Sequence, residues 1–326
     1  MILSAAFVIP SGVEESHTLN FTTRDVSTPL DMTIEMRTMQ VLAPAKINLS
    51  LKILGDRGDG FHEIETLITP ISLCDELRIK KSDSEQRIEF RCDDPTVPMG
   101  PENLVVRAAK AFFAATRLEP AVSIELKKKI PHGAGLGGGS SDAATTLLAL
   151  NQLFETNLAR DELARLGSAV GSDVPFFIFE SAALCRGRGE LVAPTKLPEP
   201  LSILLVKPGF GIASGWAYSH WHDSREIPGV MYAAQEFADQ TFVNDLERPA
   251  FEKFIFLPQL KMWLLRQPEV GAVLMSGSGS TVFAVTRPHV DVDLVAKRAR
   301  AEVDPELWIC ACETLGGSSS PLLDVK

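Results

Sequence analysis

Residues 131–144 read PHGAGLGGGSSDAA and run directly into an apolar-striped helical segment. Glycines at a helix start let the backbone approach an anion closely. The loop N–H groups, the unpaired donors of the first helical turn and the helix dipole then point at one spot. A phosphate group is the natural ligand of such a loop. The hydroxyls of Ser140 and Ser141 either cap the helix or turn toward a phosphate or a metal ion.

The type of phosphate loop can be narrowed from its neighbours. A Walker A loop requires Gly-Lys-Ser/Thr, whereas Gly139 is followed by Ser140. Gly133, Gly135 and Gly138 satisfy G-x-G-x-x-G, but the dinucleotide-binding context is missing, because no acidic residue closes a second strand about 20 residues later. A loop that merely packs a helix against a strand is the structural alternative. It is disfavoured because so many glycines are costly to order without a ligand.

Outside residues 131–144, the predicted strands and helices follow one another without a regular βαβ alternation. Residues 47–54 alternate between apolar and polar and stop at the turn 55–60, as a strand does. Further strands are predicted at 63–73, 75–80, 86–91, 122–126, 201–207 and 281–286. Helices are predicted at 103–115, 143–154, 163–170 and 213–222, and a glycine cluster at 271–279 is predicted to separate a helix from the last strand. This arrangement favours an α+β fold over a doubly wound sheet.

The length of 326 residues predicts about two domains of ~150 residues each. The proline-rich stretch 194–200 is the best linker candidate, and we place an N-terminal domain at 39–190 and a C-terminal domain at 191–316. Residues 1–38 fit neither a secretory signal nor a transit peptide, so we predict a disordered extension or a start codon assigned too early. Residues 317–326 are predicted to be a loose tail.

Composition excludes several classes of function. The 32 basic and 42 acidic residues give a net charge of −10, which is unfavourable for nucleic-acid binding through phosphates. The lysine run 127–129 is read as the solvated end of an element. No apolar run is long enough to span a membrane. Five cysteines without a C-x-x-C motif predict reduced thiols and a cytoplasmic protein with no structural zinc.

Four motifs in order carry a resemblance to one enzyme family. Besides 131–144, they are APAKINL at 43–49, DGFHEI at 59–64 and GAVLMSGSGS at 271–280, with GSDVP at 171–175 and NDLE at 244–247 between them. Together they resemble the GHMP kinase superfamily over residues 41–312. Within it the chain is most similar to the kinases that phosphorylate the 2-hydroxyl of a cytidine-diphosphate-linked methylerythritol in the non-mevalonate isoprenoid pathway.

The resemblance implies a two-domain kinase, with an N-terminal domain like domain 2 of ribosomal protein S5 and a ferredoxin-like C-terminal domain. ATP and Mg²⁺ are the implied cofactors. The implied partner is the small-molecule substrate alone, with neither nucleic acid nor membrane, in a monomer or homodimer. The sequence shows no dedicated carboxylate cage, so the metal would be held by phosphates, waters and Ser140 or Ser141.

The resemblance also implies site residues, which are expectations at this stage. Asp173 would be the catalytic base, and Lys46 its partner. The nucleotide would contact Pro131, His132, Gly133, Ala134, Gly135, Leu136, Gly137, Gly138, Gly139, Ser140 and Ser141, with Asn103 and Lys128 near the adenine. The acceptor would contact Asn48, Phe61, His62, Tyr218, Gly277, Ser278 and Gly279.

Chemistry supports part of this assignment. A cytosine base can stack on Phe61 and hydrogen-bond to His62 through its edge. Tyr218 would complete a sandwich, and core packing is its alternative. At the position of Phe61, members of the family often have tyrosine. His132 and Ser280 depart from the pattern too, but neither removes a needed donor.

Two rival functions stay open. A GHMP kinase with a different acceptor is disfavoured by Phe61 and His62. A nicotinamide-binding oxidoreductase would use Gly133 to Gly138, with dinucleotide binding and no ATP turnover.

Overall fold

The computed structural model describes residues 38–82 and 87–315. The predictions for the N-terminal extension and for the tail lie outside the described residues, apart from Thr38. The described strands are β1 (Thr38–Asp56), β2 (His62–Lys81), β3 (Ile88–Cys92), β4 (Val122–Lys127), β5 (Ala183–Gly187), β6 (Leu191–Pro194), β7 (Ser202–Lys207), β8 (Gln235–Phe237), β9 (Gln240–Asn244), β10 (Val270–Met275), β11 (Val282–Thr286) and β12 (Trp308–Glu313). The helices are α1 (Leu104–Thr116), α2 (Gly138–Leu153), α3 (Arg160–Val170), α4 (Val174–Ile178), α5 (Ser214–Ser219), α6 (Glu247–Lys253), α7 (Phe256–Leu265) and α8 (Val292–Glu302).

The first sheet is built on one long antiparallel hairpin. β1 pairs with β2 from Thr38 opposite Lys80 to Asp56 opposite His62. The two strands predicted at 63–73 and 75–80 are one strand, because β2 pairs with β1 on both sides of a register shift, with Cys74 opposite Pro44 and Pro70 opposite Lys46. The strand order is β3-β4-β2-β1-β9-β8, and β5, which pairs with β6, adds to the other end of β2. Helices α1 and α2 pack on this sheet through a core that includes Phe112 and Leu147.

The second sheet has the order β10-β11-β7-β12, and every neighbouring pair in it is antiparallel. Along the chain it is a strand, a helical segment, two strands, a helix and a strand, which is the ferredoxin-like arrangement. The α+β fold expected from the sequence is confirmed.

The prediction that residues 271–279 only separate a helix from the last strand is wrong for their first half. Ala272 to Met275 lie in the buried strand β10. The glycine that suggested a loop has a packing reason, since a β-carbon on Gly271 would lie 2.3 Å from the ring of Phe237. Glycine inside a strand marks such a close approach. The helix predicted at 213–222 is also shorter, ending at Ser219.

A strand from the C-terminal half of the chain, β9, belongs to the first sheet and so joins the two halves. β9 runs parallel to β1, with Ser50 opposite Val243. The backbone N–H of Ile53 donates to Asp245 Oδ2 over 2.8 Å. Across the described residues, no helix is long and apolar enough to cross a bilayer.

Candidate active site

A cleft of about 740 Å³ lies between the glycine loop, β1, the β1–β2 turn, the residues before α4, and α5. The predicted site residues line it with two exceptions, Ser141 and Gly279. The chain thus brings segments from residues 46 to 278 to one place.

The glycine loop ends in an open helix N-terminus. Gly137 is the N-cap of α2 in the left-handed region (φ 70°), and no side chain caps the helix. The expectation that Ser140 or Ser141 caps it is wrong, because α2 already begins at Gly138 and both serines lie inside its first turn. Ser141 is fully buried and its hydroxyl has no hydrogen-bond partner, whereas Ser140 lines the cleft. The backbone donors of the turn are left to a ligand, and an anion suits them.

Close packing also requires glycine at several positions of the loop. A β-carbon on Gly135 (φ 76°) would lie 2.3 Å from the carbonyl oxygen of Ser276, and one on Gly137 would lie 2.9 Å from Cγ of Lys46. Ser276 Oγ donates to the carbonyl of Gly135 over 3.0 Å. By contrast, a β-carbon on Gly133 (φ 63°) would meet nothing within 4 Å. The glycine loop and the 276–279 turn therefore form one packed unit beside Lys46.

Lys46 and Asp173 meet at the centre of the cleft. Lys46 Nζ lies 3.9 Å from Asp173 Oδ2 and donates to Asn48 Oδ1 over 2.6 Å. Asn48 in turn donates to Thr66 Oγ1 over 2.8 Å, which fixes the amide. Burial lowers the pKa of Lys46, and the charge of Asp173 partly opposes that shift. The Asp173 side chain is 40% exposed and faces the cleft.

Hydrogen bonds from the NDLE segment (residues 244–247) hold the turn at 276–279. Asn244 Nδ2 donates to the carbonyls of Met275 and Gly277, each over 2.7 Å. Glu247 accepts from the N–H of Met275 over 2.9 Å and pairs with the buried Lys261 over 2.6 Å. Burial raises the pKa of Glu247, while the charge of Lys261 opposes the rise. Sequence reasoning noted this segment only as part of the resemblance, and its supporting role appears in the contacts.

Gly277 belongs to the site through the same contacts. A β-carbon there would lie 3.1 Å from Nζ of Lys46 and 3.2 Å from Oδ1 of Asn48. Ser278 lines the cleft and shares a 2.8 Å hydroxyl contact with Ser214. Gly279 lies outside the cleft lining, where a β-carbon would meet Met275 and Ile212.

The far end of the cleft is aromatic. Phe61 is 47% exposed, and the rings of His62 and Tyr218 lie 5.5 Å apart. Nε2 of His62 lies 3.2 Å from Oδ1 of Asp56, which fixes that nitrogen as the one facing the carboxylate. Tyr218 lines the cleft and also packs against the second core, and burial, helped by the charge of Asp173, raises its pKa. Both alternatives for Tyr218, a wall of the site and core packing, therefore apply to it.

Lys128 lies at the opposite end and is not the solvated lysine that the run 127–129 suggested. Its side chain is 7% exposed, and its Nζ binds the carboxylates of Asp75 and Asp142. Burial and the nearby charge of Asp75 raise the pKa of Asp142, against the opposing effect of Lys128. Asn103 caps α1 by accepting from the N–H of Val105 over 2.8 Å. Both predicted adenine neighbours thus have structural partners of their own while lining the cleft.

Ser214, Asp142 and Arg188 are among the cleft residues that the sequence analysis did not predict. Ser214 lies in α5, Asp142 follows the serines of the loop, and Arg188 lies in the β5–β6 turn. Asp142 could have been found from the quoted stretch, since it is acidic among small residues. Arg188 carries no such signal, because its neighbours read as an ordinary glycine turn.

Comparisons with known proteins agree on one family. Residues 103–181 match the model of the GHMP kinases N terminal domain, and residues 232–304 match that of the GHMP kinases C terminal domain. The chain is 41% identical over 278 residues to a 4-diphosphocytidyl-2-C-methyl-D-erythritol kinase of Methylacidiphilum infernorum, covering 84% of this chain and 96% of that protein. It is 39% identical over 272 residues to a protein of the same name from Citrifermentans bemidjiense, covering 82% and 95%.

A solved structure gives the same match in three dimensions. It is a crystal structure of 4-(cytidine 5'-diphospho)-2C-methyl-D-erythritol kinase, with 35% identity and a TM-score of 0.69. The match covers 85% of this chain and 100% of that one.

Proposed function

The chain belongs to the GHMP kinases, and from this premise we propose that it transfers the γ-phosphoryl group of ATP to the 2-hydroxyl of 4-diphosphocytidyl-2-C-methyl-D-erythritol. The reaction belongs to the non-mevalonate route to isoprenoid precursors. The observation that carries the proposal is the single cleft that holds an open helix N-terminus at one end, Lys46 and Asp173 in the middle, and an aromatic end at Phe61 and His62.

Phosphoryl transfer requires positioning, charge neutralisation and a group beside the acceptor hydroxyl. We assign Asp173 to accept the hydroxyl proton or to fix the acceptor oxygen for in-line attack. Lys46, held by Asn48, keeps a positive charge near the carboxylate and the transferred group. The N-terminus of α2 binds the phosphates of ATP, with Ser278 and the N–H groups of its turn on the other side.

Magnesium fits this site as an ion that arrives with the nucleotide. Within residues 38–82 and 87–315, no cluster of three His, Cys, Asp or Glu side chains could hold a metal. Mg²⁺ is commonly bound by substrate phosphates and waters with one or two protein ligands. The hydroxyl of Ser140, which lines the cleft in the first turn of α2, is our assigned protein ligand. When bound, the ion neutralises charge on the phosphates.

Base recognition follows from the aromatic end. Phe61 offers a face for stacking, and Tyr218 supplies a second aromatic wall beside His62. In the neutral imidazole of His62, Nε2 carries the proton and faces Asp56, so Nδ1 is left as an acceptor. The exocyclic amine of cytosine is a donor and suits that acceptor, whereas uracil presents a carbonyl there.

The test is ADP release with ATP, Mg²⁺ and the cytidine-diphosphate substrate, comparing the wild-type protein with Asp173→Asn. We expect kcat to fall by about 10²–10⁴-fold in the variant because proton removal from the hydroxyl is lost. Asp293→Asn, an exposed residue at the start of α8, is the matched control and should keep full turnover.

Other results would change the assignment in defined ways. Turnover only with a sugar or an amino-acid alcohol would keep the kinase and overturn the acceptor. Binding of a nicotinamide dinucleotide without ATP turnover would overturn the reaction itself. Full activity in Asp173→Asn would remove Asp173 from the mechanism.

A further inference from the structure

Three lysine and arginine side chains line the cleft within the described part of the chain, namely Lys46, Lys128 and Arg188. Two of them already face buried or central carboxylates: Lys46 has Asp173, and Lys128 has two acidic partners. Arg188 differs from both lysines, because its guanidinium makes no hydrogen bond to the described residues: its Nε lies 3.7 Å from Oε1 of Glu190, whereas Lys46 donates to Asn48 and Lys128 to its two carboxylates. The guanidinium donors of Arg188 are thus available to a ligand.

The guanidinium lies between the two ends of the acceptor site. Its central carbon is 4.6 Å from the centroid of the Phe61 ring. The next residue along the chain adjoins the catalytic centre, since a β-carbon on Gly189 would lie 3.9 Å from Oδ1 of Asp173. An acceptor with its base on Phe61 and its hydroxyl at Asp173 must cross this interval, and the part that crosses it is the diphosphate.

The turn that carries Arg188 is built to hold it there. Gly187 and Gly189 both have positive φ, at 73° and 108°, and the N–H of Arg188 donates to Glu190 over 2.6 Å. Glu63, directly after the β1–β2 turn, accepts from the N–H of Gly187 over 3.1 Å. This contact fixes the β5–β6 turn against the turn that presents Phe61.

From this arrangement we infer that Arg188 binds the diphosphate of the acceptor, an inference that rests on the proposed acceptor. A guanidinium offers a planar fork of donors that matches two phosphate oxygens at once. In the free enzyme the same fork covers the face of Phe61, as a cation does over an aromatic ring. Substrate binding moves it from the ring to the phosphates, and the base takes the exposed ring face. Arg188 is therefore a specificity-determining residue that selects a nucleoside diphosphate over a nucleoside.

The experiment compares inhibition by cytidine, CMP and CDP in the wild-type protein and in Arg188→Met. We expect the variant to bind cytidine within about two-fold of the wild type and CDP about 10- to 100-fold more weakly, as for the loss of charge-assisted hydrogen bonds. Arg188→Lys should fall between, because it keeps the charge and loses the fork. KM for ATP should not change.

Arg186→Met is the matched control, since Arg186 lies in β5 two residues earlier, pairs with Glu65 over 2.9 Å and does not line the cleft. It should leave all three inhibition constants unchanged. An equal loss for cytidine and CDP in Arg188→Met would overturn the inference and make the guanidinium a stacking surface. Unchanged CDP affinity would overturn it as well.

The outcome is separable from that of the proposed function. Turnover of the cytidine-diphosphate substrate with no effect of Arg188→Met on CDP would leave the function standing and refute the inference. Arg188-dependent CDP binding in a protein that phosphorylates another acceptor would do the reverse.

Discussion

Lys46 is a charged group that the fold holds at a cost. Its side chain is 6% exposed, and burial lowers the pKa of its ammonium even though Asn48 and Asp173 face it. Such a residue is expected where a charge is needed for chemistry more than for stability. The glycines at 137 and 277 make room for it, since β-carbons at these two positions would meet the lysine side chain.

Lys46→Met should therefore lose activity and gain stability. We expect the transition state to lose about 2–4 kcal/mol of stabilisation, the scale of one preorganised electrostatic contact. Because the folded pKa is depressed, the unfolded chain binds more protons in the window below the ordinary lysine pKa. The free energy of unfolding of the wild type should thus rise with pH there, and the variant should lack this rise.

Urea unfolding of both proteins from about pH 7 to about pH 10 measures the difference, which should narrow as the pH rises. A variant less stable than the wild type at pH 7 would mean that the buried ammonium is a net stabiliser.

At the level of single residues, the motifs predicted the site residues that belong to a recurring sequence pattern. They missed the residues whose role depends only on contacts in the folded chain. Lys46 and Asp173 follow from a resemblance, and the structure places them 3.9 Å apart. Arg188 has no pattern, because its role depends on two turns that meet only in the folded chain. Lys128 was misread because neighbouring lysines looked equivalent, whereas Lys128, the residue after β4, binds the buried carboxylates and Lys129 pairs with Glu76.

Among the elements, the two glycine turns are the ones that fit each other. The carbonyl of Ala134 accepts from the N–H of Thr281 over 3.2 Å, and Gly135 approaches the carbonyl of Ser276 more closely than any side chain would allow. The loop that binds phosphate is thereby braced by the ferredoxin-like sheet.

Gly135→Ala should be much more destabilising than Gly133→Ala. Both glycines have positive φ, so each alanine carries about 1 kcal/mol of left-handed strain. Only at Gly135 does the new β-carbon meet backbone, 2.3 Å from Ser276, so we expect a further loss of about 1–3 kcal/mol there. Denaturant midpoints of the two variants measure this directly. Equal losses would show that the two turns separate without cost.

The buried pair of Glu247 and Lys261 supports the same turn from the opposite side. Removing one partner, as in Glu247→Gln or Lys261→Met, should cost about 3–5 kcal/mol because the other charge stays buried. The double replacement should cost less than the sum of the single ones. Chemical unfolding of the three variants forms a double-mutant cycle. Additive losses would mean that the two charges do not stabilise each other.

The mistaken loop at 271–279 shows the limit of reading elements from local pattern. Glycines at both ends of a short apolar run are typical of loops and turns. In the fold the run is the buried strand β10, and Gly271 is small because Phe237 from β8 covers it. That contact joins residues far apart in the sequence, so no local window contains it.

For the whole molecule, the sheets share their cores more than a two-domain chain usually does. One buried cluster combines Leu51, Ile53 and Ile64 with residues from Leu204 onward, and another combines Ile47 and Leu49 with residues from Leu201 onward. The boundary that we propose at residues 190 and 191 thus separates two sequence halves whose apolar side chains are buried together.

This sharing predicts that the halves unfold in one transition. All four tryptophans, at positions 216, 221, 263 and 308, lie in the second half, so their fluorescence reports on that half alone. Cys185 lies fully buried in β5 of the first sheet, and burial raises the pKa of its thiol, so its reaction with a thiol reagent requires unfolding there. We expect fluorescence and the trapping of Cys185, followed by mass spectrometry of its peptide, to give the same urea midpoint.

A lower midpoint for the tryptophans would mean that the ferredoxin-like sheet opens first. The strand β9, which pairs with β1, would then have to detach before the first sheet loses its core, although Asp245, the residue after β9, accepts from the N–H of Ile53 in β1.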